Sequence, residues 1–78
     1  MRTLGEKVRL LRGARGWKQK DLQERTQISQ RYLSALEHGH VDPSLTTLHR
    51  LADGLGISVA MLVQNTVRPQ KQEPADAS

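Results

Sequence analysis

The residues with most to offer chemically in this chain of 78 residues fall between positions 19 and 40. They are Gln19, Lys20, Ser29, Gln30, Arg31, Tyr32, Ser34, His38 and His40, a set of hydrogen-bond donors, acceptors and cations. Arginine presents a planar fork of N–H donors, and glutamine sets a donor beside an acceptor. Such groups suit planar polar edges: arginine pairs with O6 and N7 of guanine, glutamine with N6 and N7 of adenine. The means of making and breaking covalent bonds are missing. Cysteine is absent, no glycine-rich loop could cradle a phosphate, and no two carboxylates share a plausible pocket. His38 and His40 flank Gly39 without a convincing third ligand, whereas zinc takes a fuller set of protein ligands. We expect no enzyme activity, no metal and no other cofactor. On composition alone the polar set is more often the solvated face of an ordinary helix.

Five short helices are expected to position these side chains, and no stretch alternates like a strand. Leu4, Val8 and Leu11 form one apolar stripe on a first helix, with Thr3 to cap its start and Gly16 to stop it. Gly13 inside it is a flaw of about 0.5–1 kcal/mol relative to alanine. A second helix runs from about Lys18 to Thr26 with Leu22 inward. Ser29 caps a third, Gln30 to about His38, which turns Leu33 and Leu36 inward and ends at Gly39. Ser44 caps a fourth helix with the stripe Leu45, Leu48, Leu51, Ala52 and Leu55, ended by Gly56. Ser58 caps a fifth, Val59 to about Val63. From Asn65 the chain turns polar, with Pro69 and Pro74, and is expected to be a disordered tail. No internal repeat is present.

The formal net charge is +4. Five Arg/Lys face one acid between Met1 and Gly16, four face three between Trp17 and His40, and the remainder is slightly acidic or balanced. The positive field therefore sits in the N-terminal half, which suits a polyanionic partner. A chain of this size buries only about 60% of its unfolded surface, so its core is thin. Charges interrupt the first residues too often for a signal peptide, and no segment approaches the ~20 apolar residues of a membrane helix. No membrane association and a cytoplasmic, reducing location are expected.

The run Leu22…Ile28-Ser29…Leu33…Leu36-Glu37-His38-Gly39…Asp42-Pro43-Ser44-Leu45-Thr46-Thr47-Leu48…Leu51-Ala52…Leu55-Gly56-Ile57 resembles the lambda-repressor-like (Cro/CI-type, XRE) helix-turn-helix family. The likeness extends from Leu4 to about Val63. It implies an all-α, compact five-helix domain over residues 1–64, with helices two and three as the helix-turn-helix and residues 65–78 as the tail. It also implies sequence-specific binding of double-stranded DNA by a homodimeric transcriptional regulator, a repressor or controller associated with the nucleoid. The physics of the motif agrees: a slim third helix can enter a major groove about 12 Å wide, where each base pair shows its own donor and acceptor pattern. The alternative on the same fold is an antitoxin-like or coactivator-like module that holds a protein partner, such as a toxin or a polymerase subunit.

Carried over residue by residue, the resemblance makes Gln30, Arg31 and Ser34 readers of bases, with Tyr32 on a thymine methyl, a sugar or a phosphate. Gln19 and His38 hold phosphates, and Lys20, Ser29 and His40 complete the DNA-binding set. Arg12 and Glu37 stand at positions that pair across the first and third helices. The dimer seam is expected on the fifth helix and the loop before it, around Val59, Met61 and Val63. Four residues depart from the family pattern: Lys18 where a hydroxyl cap is usual, Gln23 where a small residue is usual, Gln27 at the turn glycine, and Trp17 at an aliphatic position. A left-handed Gln27 would cost about 1–2 kcal/mol.

Overall fold

The computed structural model describes residues 2–67. Five helices account for most of them: α1 (Leu4–Ala14), α2 (Gln19–Thr26), α3 (Gln30–Glu37), α4 (Leu45–Leu55) and α5 (Val59–Val63). Each start is fixed by local chemistry. Thr3 and Glu6 form a reciprocal capping box at α1, with Glu6 N–H donating to Thr3 Oγ1 at 3.1 Å and Thr3 N–H to Glu6 Oε1 at 3.0 Å. Ser29, Ser44 and Ser58 accept from the third amide of α3, α4 and α5 at 3.1, 3.3 and 3.0 Å. Lys18, lacking an acceptor, leaves half of that arrangement to Asp21, whose carboxylate accepts from the Lys18 N–H at 2.8 Å.

The core is aliphatic. Leu4, Val8, Leu22, Leu33, Leu36, Leu48, Leu51, Leu55 and Leu62 are buried, with Leu11, Trp17, Tyr32, Val59 and Val63 packed half-buried against them. Leu45 is a correction to the expected stripe of α4, being 64% exposed. A helical side chain leans over the turn on its N-terminal side, and the first residue of a helix has no such turn beneath it.

Two glycines are there because backbones meet. A Cβ on Gly5 would run into the carbonyl oxygen of Leu36, so α1 lies against the backbone of α3. A Cβ on Gly54 would likewise meet the Thr26 methyl and the Arg25 carbonyl, which sets α4 on the end of α2.

Lys7 of α1 and Arg15, just past its end, then hold the helix ends together. Lys7 Nζ donates to the carbonyls of Met61 and Gln64 at 2.6 and 2.9 Å, satisfying the C-terminus of α5. Arg15 donates to Leu11 O at 3.0 Å and to Leu55 O at 2.8 Å, bridging the ends of α1 and α4. Both contacts place positive charge at the negative end of a helix.

The reading of the chain as helices alone, with a tail from Asn65, needs one amendment. Asn65 turns the chain with φ 60°, and Thr66–Val67 (β2) pairs in parallel with Arg2–Thr3 (β1), Arg2 opposite Thr66 and Thr3 opposite Val67. Two-residue strands are too short to leave a period in the sequence. The rest of the expected tail, residues 68–78, lies outside the described residues. None of the described helices is long and apolar enough to cross a membrane.

Candidate nucleic-acid interface

The site is built outward from an ion pair. Glu37, at the last turn of α3, is 7% exposed and faces Arg12 of α1. Arg12 Nε donates to Glu37 Oε2 at 2.8 Å and Arg12 Nη2 to Glu37 Oε1 at 2.9 Å, a bidentate fork; Arg12 Nη1 donates to Trp17 O at 2.9 Å. The side chains are 17% and 3% exposed. The hydrogen bond to Glu37 raises the Arg12 pKa above its ordinary value, against the opposing effect of burial. Gln19, first residue of α2, leans on the same carboxylate, donating from Nε2 to Glu37 Oε1 at 3.2 Å. One carboxylate thus ties α1, α2 and α3 together directly behind the outer surface of α3.

That surface carries most of the sequence-assigned residues. Gln19, Gln30, Arg31, Ser34, Ala35, His38 and His40 line one shallow open groove. Arg31 and Gln30 are exposed in the first turn of α3, and Ser34 follows one turn on, half-buried. The His38 ring is fixed by its Nδ1, 2.8 Å from Ser34 O. A carbonyl can only accept, so Nδ1 carries the proton there and Nε2 is the acceptor of the neutral ring. The His40 ring lies 6.0 Å from that of His38, centroid to centroid.

Three assigned residues stand apart. Lys20 is exposed on α2 but outside the groove lining. Ser29 is exposed and its hydroxyl is already occupied as the cap of α3. Tyr32 is half-buried, packed against the core and outside the groove lining, on the flank of the helix. Among the described residues no group of three or more His, Cys, Asp and Glu could hold a metal ion.

The helix-turn-helix family HTH_3 matches residues 8–62. The chain belongs to this family. It is 38% identical over 65 residues to the uncharacterized HTH-type transcriptional regulator y4dJ of Sinorhizobium fredii, covering 83% of this chain and 84% of that one. It spans less of two further matching regulators, 47% and 42% of their lengths. Among solved structures, the restriction-modification controller protein C.AhdI of Aeromonas hydrophila superimposes with a TM-score of 0.73 at 30% identity, over 76% of this chain and 89% of that one. The biofilm master regulator SinR, in its complex with DNA, gives 0.75 at 25% identity, over 80% and 100%.

Within this helix-turn-helix protein the departures from the family pattern find structural answers. Gln27 takes the left-handed conformation that glycine usually supplies, with φ 64°. Trp17 is half-buried against the core, and the Arg25 guanidinium sits 4.2 Å from its ring centroid, with Arg15 further off at 5.7 Å. Gln23 does not pack as a small residue would. Its Oε1 accepts from the Gln30 N–H at 2.5 Å, joining α2 to the start of α3. Sequence reading flagged Gln23 only as a misfit. It missed Gly5 and Lys7, whose partners lie far along the chain, and Asp21, whose spacing of three from Lys18 was a visible signal.

Proposed function

We propose that the chain binds double-stranded DNA in a sequence-specific manner and regulates transcription as a homodimer, with α3 in the major groove of a pseudo-palindromic operator. The observation that carries this reading is the open groove along α3, where Gln30, Arg31, Ser34, His38 and Gln19 converge above a buried ion pair. Groups meant to read base edges need to be exposed and yet held in place, and this groove meets both needs. The DNA-bound state of SinR, similar in fold, and the controller and regulator names among the relatives support it. Gln30 and Arg31 take the base-reading role, Ser34 a small polar contact beside them, and Gln19, Lys20, His38 and His40 the phosphates. Ser29 acts through its cap, and Tyr32 through the flank of the helix. A duplex target places the protein in the cytoplasm at the nucleoid, and the role is binding, not catalysis.

The dimer reading rests on Met61, 54% exposed on α5; Val59 and Val63, expected beside it in the seam, are half-buried against the core. Two subunits would meet half-sites about 34–36 Å apart. Selection from a library of random duplexes should enrich a two-fold symmetric motif; enrichment of none overturns the assignment. Sedimentation should give two subunits on that duplex, and a monomer both free and bound would overturn the dimer. Met61 and the 44% exposed Val67 also favour a second reading, a surface for a protein partner. A chain that ignores duplex DNA but co-purifies with a stoichiometric partner would select it.

A further inference from the structure

We infer that Gln23 is a positioning residue of the proposed reader helix: its carboxamide oxygen holds the first amide of α3 and so sets the pose in which Gln30 and Arg31 meet DNA. The inference rests on the reading of α3 given above.

Helix α3 has eight residues and is clamped unevenly. From its fourth residue onward it is fixed, by the buried Leu33 and Leu36, by the Arg12–Glu37 fork, and by the backbone contact at Gly5. Its N-terminal turn, which carries Gln30 and Arg31, hangs from a three-residue connection, Gln27 to Ser29. That connection begins with Gln27 at φ 64° and anchors in the core only through Ile28, whose N–H donates to Thr26 Oγ1 at 3.2 Å. The Ser29 hydroxyl takes the Tyr32 amide and its carbonyl the Leu33 amide. Both of those bonds start and end within α3 and its cap, so neither fixes the turn to the rest of the protein. The bond from Gln30 N–H to Gln23 Oε1 at 2.5 Å does. It runs from the middle of α2 to the backbone of the very residue whose side chain is to read a base.

The residue type fits the task. Gln23 is half-buried as a residue, and its bond to Gln30 lies at the surface. A small residue, usual here by the family resemblance, offers no acceptor. Glutamine supplies one without a negative charge close to a polyanion.

The test compares Gln23→Met, similar in length but without the acceptor, with Gln23→Glu, which keeps it. Two probes are used at one fixed salt concentration, since affinity for DNA depends steeply on salt. One is the duplex enriched by the wild-type chain, the other a random-sequence duplex of equal length. Gln23→Met should bind the enriched duplex about three- to tenfold more weakly, the range of one hydrogen bond, and the random duplex as before. Gln23→Glu should weaken both duplexes by the same factor and leave their ratio at the wild-type value. The backbone amide of Gln30 should exchange its hydrogen faster in the methionine variant and keep its protection in the glutamate one. Gln23→Ala should follow methionine.

A methionine variant that keeps the wild-type ratio overturns the inference. So does a glutamate variant that loses the ratio as fully as methionine, or an equal loss on both duplexes with a lowered melting temperature in Gln23→Met. Failure of the wild-type chain itself to enrich any duplex would remove the DNA reading, and this inference with it, before any variant is made.

Discussion

Helices α1 and α3 both carry arginines, and they use them in opposite ways. On α1 and the turn after it, Lys7, Arg12 and Arg15 each reach a carbonyl or a carboxylate of the protein itself. On α3, Arg31 is exposed and has no such partner among the described residues. The N-terminal stretch carries most of the excess positive charge, yet three of its five cations are engaged in holding helices together. The other two, Arg2 and Arg9, border a different groove, with Leu10 and Asn65. Counting charges along a sequence therefore locates a field but not a contact surface. What distinguishes the two helices is whether a cation finds an acceptor before solvent does.

The comparison can be broken most forcefully at Glu37. Glu37→Ala leaves the part-buried Arg12 guanidinium with only the Trp17 carbonyl, and chemical denaturation should show a loss of up to about 3 kcal/mol, the low end for breaking a buried pair. Replacing both partners by apolar residues should cost distinctly less than that single change; an equal loss would mean the fork is not what α1 contributes. The Arg12 contribution should not vary with pH near neutrality. Its pKa is raised in the folded state, so the stabilisation is complete below the ordinary arginine range and is lost only in strong alkali. Next in size, Gly5→Ala should lower stability by about 1–3 kcal/mol, because the added methyl forces α1 away from the Leu36 carbonyl.

On the other side of the comparison, Arg31→Ala should leave the denaturation midpoint within about 0.5 kcal/mol of wild type. It should cost about 1–3 kcal/mol on the selected duplex and relax preference at one base position per half-site. Arg15→Ala should do the reverse, lowering stability and leaving base preference alone. The smallest effect is expected at the turn between the motif helices. Gln27→Gly should stabilise by about 1 kcal/mol by relieving the left-handed conformation, and a destabilised variant would show that the Gln27 Nε2 bond to Glu24 O outweighs that strain.

Much of the fold was legible in the sequence because its signals are local. Threonine and serine caps, the leucine stripes and the terminal glycines act within a turn or two, and the five helices stand where those signals put them. Leu45 was misjudged because a stripe continues on paper past the point where the helix begins. The strand pair was invisible for a different reason: Arg2 and Thr66 are neighbours only once everything between them has folded. In the site, Gln30, Arg31 and Ser34 could be placed on one face by helical spacing. The role of Gln23 could not, since what it touches is a backbone amide, which every residue but proline possesses.

The parallel pairing of Arg2–Thr3 with Thr66–Val67 makes the described chain a closed circuit. Closure over so long a span costs little more than over a short one, since each doubling of loop length adds only about 0.6 kcal/mol. Thr3 belongs at once to β1 and to the cap of α1, so seam and cap open together. Helix α3 lies near the midpoint of this circuit, about as far along the described residues as a residue can be from the seam. Peeling from one side has to undo the seam, α1 and α2 before it reaches Gln30; from the other it has to undo the seam, α5 and α4.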